Sequence, residues 1–411
     1  MTTLTPPFGA ARVACAAHAV VATLALSLTA HVASAQERLA TRRSVTVAPT
    51  YQSWSFGDGL LQTTLRGDTV RAGRATQLSF PVTAEIWFGE RWQLDVGAAL
   101  VDSRVSLDRR DATLDVDEYA LRGLTDVKVG FTAHVVPDHV LFTVGLNAAP
   151  GGTDLDSEEI EALRVFAAPA FGYGVPSMGL GRAATAGVVL AREMAGWAWA
   201  LGGSYELRSG STPLVISSGL PALDFNPSDA VHLTLGTEGL VGPHAMTVGV
   251  SADVFSDDDY ASNGQPITSA RTRLGPILTG EWQLRLATPQ LRELVVYMTD
   301  RYRTKYSRAG AKVPRSSANY LDVGASGVAP LSARAGLVMG LTLRHHTGLE
   351  SDSSAASAAA RVGGATVGLR YDRSNYRLEP FLRAQVGRID TFRATADVRE
   401  VVAGITLARR F

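Results

Sequence analysis

Cysteine is nearly absent from this sequence, because Cys15 is the only one among 411 residues. It falls inside the predicted export signal described below, so the exported chain would contain neither a disulfide nor a thiol nucleophile. An excess of either charge is absent too, since 39 Lys and Arg stand against 39 Asp and Glu. This balance gives no reason to expect nucleic acid or another polyanion as a partner.

Long hydrophobic runs are also missing. After the first forty residues, no stretch holds ~20 consecutive apolar residues, so transmembrane helices are not expected. Near the start, Arg12 precedes an apolar run at 19–30 and a small-x-small site at 33–35, which is typical of a secretory signal. We predict that residues 1–35 are a cleaved signal peptide and that 36–411 form a single domain.

What the sequence does contain is alternation of apolar and polar residues with a period of two. At 77–88, for example, Leu78, Phe80 and Val82 alternate with polar or small residues. Successive side chains of a strand point to opposite faces, so such a segment has one apolar and one polar face. We count about sixteen segments (range 12–16), each close to the ~9–11 residues that a tilted strand needs to cross a bilayer. The chain is therefore predicted to be all-β.

The connections between these segments alternate between short and long. Short ones include 89–90 and 137–138, and long ones include 57–74, 150–181 and 256–270. This rhythm is typical of a transmembrane up-and-down antiparallel β-barrel with short periplasmic turns and long outer loops. An exported chain of this kind, with no spanning helix, is expected in the outer membrane of a bacterium.

The last predicted strand, 399–411, alternates like the others. A free terminal strand would expose an unpaired edge, so we expect it to pair with the first strand, 44–56, and close the barrel. Phe411, Leu407 and Ile405 also resemble the terminal-strand signal that the outer-membrane assembly machinery reads. That resemblance implies the assembly machinery as a partner.

The stretch from Gly123 to Gly151, GLTDVKVGFTAHVVPDHVLFTVGLNAAPG, resembles a strand-turn-strand unit of a broad transporter group. The group comprises the fatty-acid-transporter-like barrels and the related barrels named for phenol degradation by the meta pathway. The similar features are Gly123, Leu124 and Asp126 at the opening and the exit into Pro150 and Gly151. The resemblance covers about thirty of the 411 residues. It implies passive uptake of small, often hydrophobic molecules.

The polar faces of the predicted strands carry charged residues. We interpret them as candidates for lining the lumen and for selecting the solutes that enter it. They are Arg285, Arg334, Arg344, Arg370, Arg377 and Arg383, with the carboxylates Glu281, Asp322 and Glu379. A cationic wall would favour the entry of anions into a water-filled pore. In the alternative interpretation, the arginines pair with carboxylates on neighbouring strands and make a rigid polar interior.

The longest predicted loop, 150–181, contains a helical pattern. Asp156 and Glu159 have the spacing of a capping box, and Ile160, Leu163 and Phe166 would share one face of the helix. Such a helix could fold inward as a constriction, lie across the mouth as a lid, or remain a short surface helix.

Signals of catalysis and metal binding are weak. The sequence has no Cys/His zinc spacing and no phosphate loop, so no cofactor or metal is expected. We interpret 257–259, three consecutive aspartates, as a solvated acidic loop tip, because their spacing does not match a calcium loop. His345 and His346 lie near Ser351 and Asp352, but no local signature supports a hydrolase, and we predict that the protein is not an enzyme.

The sequence as a whole favours a passive channel or transporter for small molecules, surrounded by outer-membrane lipid and lipopolysaccharide. One alternative is an uptake barrel for hydrophobic compounds, such as fatty acids or aromatics, with a poorly conducting lumen. Another is a structural or adhesion barrel whose lumen is blocked. The sequence leaves the substrate and the oligomeric state open.

Overall fold

Sixteen antiparallel strands pair in chain order and close into one barrel. The computed structural model describes residues 43–63, 69–107, 117–150, 155–176, 178, 181–214, 223–262, 265–268, 271–348, 359–390 and 395–411. Within this part of the chain the main sheet has 18 strand segments, of which two pairs each form one interrupted barrel strand, leaving 16. The predicted signal peptide lies outside the described residues. Among the described residues, no helix has the length and apolarity needed to span a membrane.

The barrel strands are numbered along the chain. They are β1 (Arg43–Val47 and Thr50–Thr63), β2 (Thr69–Phe88), β3 (Trp92–Leu107), β4 (Glu118–Leu124 and Val127–Val136), β5 (Val140–Ala148), β6 (Ala183–Met194), β7 (Trp197–Arg208), β8 (Ala230–Val241), β9 (His244–Phe255), β10 (Ile277–Arg285), β11 (Glu293–Arg303), β12 (Ala318–Pro330), β13 (Ala335–Thr347), β14 (Ala359–Arg373), β15 (Tyr376–Asp390) and β16 (Thr395–Arg410).

The first and last strands close the barrel as the sequence predicts. Ser44 pairs with Arg410 at one end of β1, and Phe56 pairs with Val398 further along. The interruption of β1 at 48–49 leaves this register unchanged, because the Ile405 amide donates to the Pro49 carbonyl across it, at 3.1 Å. Neither β1 nor β16 therefore presents an open edge over this length.

The outer surface of the barrel is apolar. On β13, Met339, Leu341 and Leu343 are 42%, 65% and 57% exposed, and similar residues follow on the other strands. Between them, Thr342 and Arg344 face the interior. A contiguous apolar band of this extent is unfavourable in water and suits contact with lipid acyl chains.

The two ends of the barrel differ as predicted, with short turns at one end and longer connections at the other. By the usual rule the short turns are periplasmic and the long connections are outside. The outer connections hold more structure than the sequence indicates. They form a four-stranded sheet (Ser211–Leu214, Leu223–Asn226, Asp259–Ser262, Gln265–Pro266) and a three-stranded sheet (Thr272–Arg273, Ser307–Arg308, Ala311–Lys312).

Two predicted boundaries are wrong at this outer end. The predicted loop 57–74 is mostly strand, because Leu60 and Ala72 pair and extend β1 and β2 outward. The predicted strand 271–287 begins only at Ile277 in the barrel, since Pro276 has no amide hydrogen for the ladder. Its carbonyl instead accepts from the Thr304 amide at 2.9 Å.

The outer part of β4 has a partner on one side only. Its first segment, Glu118–Leu124, pairs with β3, whereas β5 pairs with the second segment as far as Val127 opposite Ala148. Within the described residues no strand pairs with the other edge of Glu118–Leu124. The chain that follows Ala148 contributes the helix described next.

Candidate functional site

The longest connection carries a short helix, α1 (Ser157–Phe166), as predicted. The Asp156 carboxylate accepts from the amides of Glu158 and Glu159 at 2.9 and 2.8 Å, and the Glu159 carboxylate accepts from the Asp156 amide at 2.9 Å. These bonds form the capping box expected from the spacing. They fix where the helix begins, and with it the face that the helix presents to its surroundings.

The apolar face of α1 packs inside the barrel. Ile160, Leu163 and Phe166 are 1%, 5% and 1% exposed, and they belong to one hydrophobic cluster with the inner side chains of the wall. The wall residues of that cluster come from β1–β4 and β14–β16, and they include Trp54, Val105, Leu121, Val362 and Val398. The alternative of a surface helix is therefore wrong. We call residues 155–176 and 178 the inserted segment.

Aromatic rings anchor the inserted segment where it turns after α1. The Phe171 ring meets Trp54 and Phe56 edge to face at centroid distances of 5.4 and 5.3 Å. Tyr173 packs against Phe166 at 4.6 Å. Such edge-to-face pairs add about 0.5–1.5 kcal/mol each beyond the burial of their area.

Side chains of β1 and β2 bind the backbone of the inserted segment. Trp54 Nε1 donates to the Phe171 carbonyl at 3.1 Å, and Gln52 Nε2 donates to the same carbonyl at 3.2 Å. Gln77 donates to the Val175 carbonyl at 2.8 Å and accepts from the Val175 amide at 3.1 Å. An irregular backbone buried in a barrel needs such partners, because unpaired buried amides and carbonyls are costly.

The hydroxyl of Tyr173 completes this attachment by donating to the Ala75 carbonyl at 3.0 Å. Burial raises the pKa of Tyr173 well above its ordinary value, with the Glu400 carboxylate acting in the same direction, so the hydroxyl keeps its proton. Sequence reasoning missed Gln52, Trp54 and Gln77. Their only signal was polar or large side chains at inward positions of two strands, which does not identify a partner.

Arg344, one of the predicted lumen residues, lies against the tip of the inserted segment. Gly172 has φ +54, and a Cβ placed there would stand 2.6 Å from the nearest guanidinium nitrogens of Arg344. Glycine therefore meets both the backbone conformation and the close approach. Arg344 Nε lies 3.5 Å from Asp322 Oδ1, and His346 Nε2 lies 3.2 Å from the same oxygen.

Arg383 lies in the same region of the inner wall. Its Nη2 is 3.0 Å from Glu400 Oε1, which also accepts from Gln52 Nε2 at 2.6 Å. The Glu400 side chain is fully buried, and both donors bond Oε1, whereas Oε2 is buried without a hydrogen-bond partner among the described residues. Gln52 thus links the charged pair to the backbone of the inserted segment.

The other predicted charges are distributed along the inner wall and its periplasmic end. Arg370 bridges Glu379 at 2.6 Å and Glu293 at 3.0 Å, and Arg377 pairs with Asp372 at 2.7 Å. Four of the predicted arginines thus form ion pairs with carboxylates, as in the alternative interpretation of the sequence: Arg344, Arg370, Arg377 and Arg383. Arg285 is exposed at the last position of β10, and Glu281 lies on the same strand.

Arg334 is not on the lumen wall. It lies exposed in the turn between β12 and β13, because β13 begins at Ala335. The predicted strand 334–345 began one residue too early, and this placed the side chain in the ladder. Its carbonyl instead accepts from the Asp372 amide at 2.8 Å in the periplasmic turn region.

The wall opposite the inserted segment remains accessible. The inner side chains of Gln52, Gln77 and Ser103 on the covered side are 1–2% exposed. Several inner residues of β8–β11, in contrast, are of intermediate exposure, although Asp253 and Arg303 are buried. They include Thr234, Glu238, Thr279, Glu281 and Thr299. The inserted segment therefore covers one side of the lumen and leaves a polar surface on the other.

A second polar network lies on this accessible side. His232 bonds Asp253 through Nδ1 at 2.8 Å and Glu206 through Nε2 at 3.2 Å, and Arg208 Nε donates to Glu206 at 2.8 Å. Both ring nitrogens of His232 are thus occupied by carboxylates. In this arrangement the ring has no free nitrogen with which to activate a hydroxyl.

The three aspartates at 257–259 are not a solvated acidic tip. Asp258 is 1% exposed and accepts from the Ser228 amide at 2.7 Å, whereas Asp257 pairs with Arg273 and Asp259 with Arg271. Among the residues described, no group of three His, Cys, Asp or Glu could hold a metal ion. Of the hydrolase candidates, His346 bonds Asp322, and Ser351 and Asp352 lie outside the described residues.

Comparisons with known proteins find similar solved structures, but no matching family model and no matching curated sequence. A TodX mutant, described as a monoaromatic hydrocarbon channel, has a TM-score of 0.45 and 9% identity over 91% of both chains. The anion-selective porin from Comamonas acidovorans has a TM-score of 0.39 and 11% identity, covering 91% of this chain and 100% of its own.

The toluene transporter TbuX from Ralstonia pickettii has a TM-score of 0.39 and 12% identity, covering 90% of this chain and 89% of its own. The names of these three neighbours describe a channel, a porin and a transporter. At TM-scores below 0.5 they do not assign a function to this chain. Its own closed barrel and apolar outer face are what an outer-membrane protein requires, because only a closed sheet satisfies all its backbone groups in lipid.

Proposed function

We propose that the protein is an outer-membrane channel through which small molecules diffuse passively, and that the inserted segment sets the cutoff. The observation that carries this proposal is the difference between the two sides of the lumen. One side is filled by the inserted segment, with Phe166 and Phe171 at most 3% exposed. The other side keeps inner polar residues of intermediate exposure. A solute would pass between them.

The polar wall makes this passage suitable for hydrated solutes. Its charges include opposite pairs, such as Arg208 with Glu206 and Arg370 with Glu293. Paired charges leave a weak net field, so we expect modest discrimination between small anions and cations. No catalytic step is assigned, and passage needs neither a cofactor nor a metal.

The partners follow from the same location. Outer-membrane lipid surrounds the apolar face, and the assembly machinery would read the terminal strand through Phe411, Leu407 and Ile405. Phe411 is 60% exposed, and Leu407 and Ile405 are 45% and 46% exposed on the lipid-facing side of β16. This exposure supports the proposal, because the apolar side chains are accessible to a binding partner on the surface of the strand.

Single-channel recording tests the proposal. The chain without its predicted signal peptide, residues 36–411, is refolded and inserted into a planar bilayer under a salt gradient. We expect small conductance steps and a reversal potential close to zero, because the wall charges are paired. Silence from protein that is shown to be folded would contradict the channel and favour a barrel with a closed lumen.

A second candidate function, uptake of hydrophobic compounds, is favoured by the interruption of β4. Beside the unpaired edge of Glu118–Leu124, Leu121 joins the hydrophobic cluster of the inserted segment, and Met178 approaches Gly123. An apolar ligand could lie along this surface. Binding of a fluorescent apolar probe that is displaced by an aromatic hydrocarbon, with no conductance steps, would favour this function over the first.

A further inference from the structure

A strongly cationic stretch forms one of the outer connections of this chain. Residues 301–321 contain six Lys and Arg and no Asp or Glu, whereas the whole chain has a formal net charge of +0. Two of the six are engaged below the rim: Arg301 lies over the ring of Tyr320 at 4.8 Å, and Arg303 is buried. The other four are Lys305, Arg308, Lys312 and Arg315.

The four remaining cations belong to a defined structure, the rim hairpin (residues 304–317). Ser307–Arg308 and Ala311–Lys312 pair through a turn whose central residues, Ala309 and Gly310, have φ 47 and 80. Positive φ at both positions is what a tight two-residue hairpin turn requires. The hairpin also pairs with Thr272–Arg273, so the cations are held on a three-stranded sheet.

One face of this sheet presents two cations, whereas Arg308 is in register with Thr272 and Ala311 and so lies on the other face. Arg273, Ser307 and Lys312 lie side by side on three strands, so the two cations stand about 10 Å apart with a hydroxyl between them. Arg273 is partly neutralised by Asp257 at 2.7 Å. Within the described residues, no ion pair joins Lys305, Arg308 or Lys312 to a carboxylate.

A cleft of about 520 Å³ opens beside the hairpin. Its lining includes Arg271, Arg273 and Ser307 together with the turn at 309–310. A hydroxyl and two guanidinium groups around a cleft of this size suit a phosphate group carried on a larger molecule, although Arg271 also pairs with Asp259 at 2.8 Å. The Asp257 carboxylate is also in the lining and limits the positive potential on that side.

The position of the hairpin relative to the membrane surface indicates which phosphate groups it can reach. Tyr302 is 45% exposed on the lipid-facing side of β11, and tyrosine rings of barrels concentrate at the membrane–water interface. Lys305 follows three residues later, at most about 10 Å further along the chain. The cations therefore lie at the depth of lipid headgroups in the outer leaflet.

The position around the barrel separates the hairpin from the inserted segment. The hairpin connects β11 and β12, whereas the inserted segment packs on β1–β4 and β14–β16. The backbone bonds of the hairpin go to the neighbouring connection, with Ala309 donating to the Arg271 carbonyl at 2.8 Å. Holding the inserted segment is thus not the role of these cations.

We infer that the rim hairpin, with Arg271 and Arg273, binds the phosphate groups of lipopolysaccharide in the outer leaflet. The inference rests on the outer-membrane location of the proposed function, but not on whether the lumen conducts. Each cation near an anionic lipid surface strengthens binding about fivefold. Removing three of them should therefore weaken binding about 100-fold.

The test uses the full mature chain in detergent and measures the affinity for bisphosphorylated lipid A. The variant Lys305→Gln/Arg308→Gln/Lys312→Gln removes three of the four remaining cations, and Lys305→Arg/Arg308→Lys/Lys312→Arg retains their charge. The matched control removes three exposed arginines near the periplasmic end: Arg91→Gln/Arg192→Gln/Arg334→Gln. Dephosphorylated lipid A and inorganic phosphate serve as comparison ligands.

We expect an affinity loss of about 100-fold for the neutral triple variant and less than threefold for the charge-retaining variant and the periplasmic control. Dephosphorylated lipid A should bind weakly to every protein. Equal binding of the phosphorylated and dephosphorylated forms, or wild-type affinity in the neutral triple variant, overturns the inference. Inorganic phosphate that binds as tightly as lipid A overturns it in favour of a free-anion site. Conductance of the same preparations is recorded separately, so failure of the lipid site and failure of the channel give different results.

Discussion

The attachment of the inserted segment makes a quantitative prediction for Phe171→Ala. The Phe171 side chain is 3% exposed and contacts the rings of Trp54 and Phe56, whereas its carbonyl, which accepts from Gln52 and Trp54, is kept in the variant. Removing a buried phenylalanine side chain costs about 3–5 kcal/mol. If that cost falls on docking of the segment, the undocked population rises roughly 200- to 5,000-fold.

The effect is measured as conductance in planar bilayers at fixed voltage. We expect Phe171→Ala to spend far more time than the wild type in a larger conductance level, because the undocked segment leaves a wider lumen. Swelling of liposomes with sugars of increasing size should show a higher cutoff for the variant. Both assays are run on protein whose folded barrel is verified by its resistance to detergent at room temperature.

Phe131→Ala is the matched control. Phe131 is 37% exposed on the lipid-facing side and stacks on Trp92 at 5.4 Å, far from the inserted segment. The same aromatic deletion there should leave conductance and cutoff unchanged. A folded Phe171→Ala protein with wild-type conductance and cutoff would refute the idea that the inserted segment limits the lumen.

Three further predictions concern single contacts. Gln77→Ala removes both side-chain hydrogen bonds to Val175. Each lost bond costs roughly 1 kcal/mol and water partly replaces the two bonds, so the larger conductance level should become about tenfold more frequent. An unchanged frequency would mean that these bonds do not hold the segment. Arg370→Gln should shift the reversal potential toward cation selectivity and Glu293→Gln toward anion selectivity, and shifts of the same sign would show that the pair does not face the ion path. Removing Phe411 should lower the yield of assembled barrel in cells while leaving refolding in detergent intact, and normal assembly in cells would contradict its role as a signal.

The barrel was predictable because its determinants are local. Alternation and short turns placed the strands at 197–208 and 244–255 where the structure has them. The errors arise where local pattern and tertiary pairing differ. The outer parts of β1 and β2 do not alternate clearly, yet Leu60 pairs with Ala72 because the two strands continue to face each other beyond the membrane.

The site was predictable only in part. The spacing of Ile160, Leu163 and Phe166 and the capping box defined the helix and its apolar face, since both depend on neighbours along the chain. The position of that face depends on contacts between distant residues, such as Trp54 and Phe171, which lie 117 positions apart. No spacing rule within one sequence identifies such a pair.

The same distinction applies to the charges. Period-two alternation predicted that Arg344, Arg370 and Arg383 face inward, and they do. Their carboxylate partners were found less well, because Glu293 lies three strands away from Arg370 around the barrel. Sequence patterns suggest ion-pair partners on adjacent strands only. The curved inner wall also brings together side chains from strands that are not neighbours.

The construction of the two sides of the lumen argues against a barrel that is simply filled. On the covered side, the wall packs against the apolar side chains of the inserted segment, and side chains of β1 and β2, such as Gln77, donate hydrogen bonds to its backbone. The accessible side satisfies its own charges, since His232 is held between Glu206 and Asp253. The hydrogen bonds of the His232 network given above include no residue of the segment, so undocking of the segment would leave that network in place. Opening of the lumen is then limited mainly by the contacts around Phe171, which is why that side chain is the most informative one to remove.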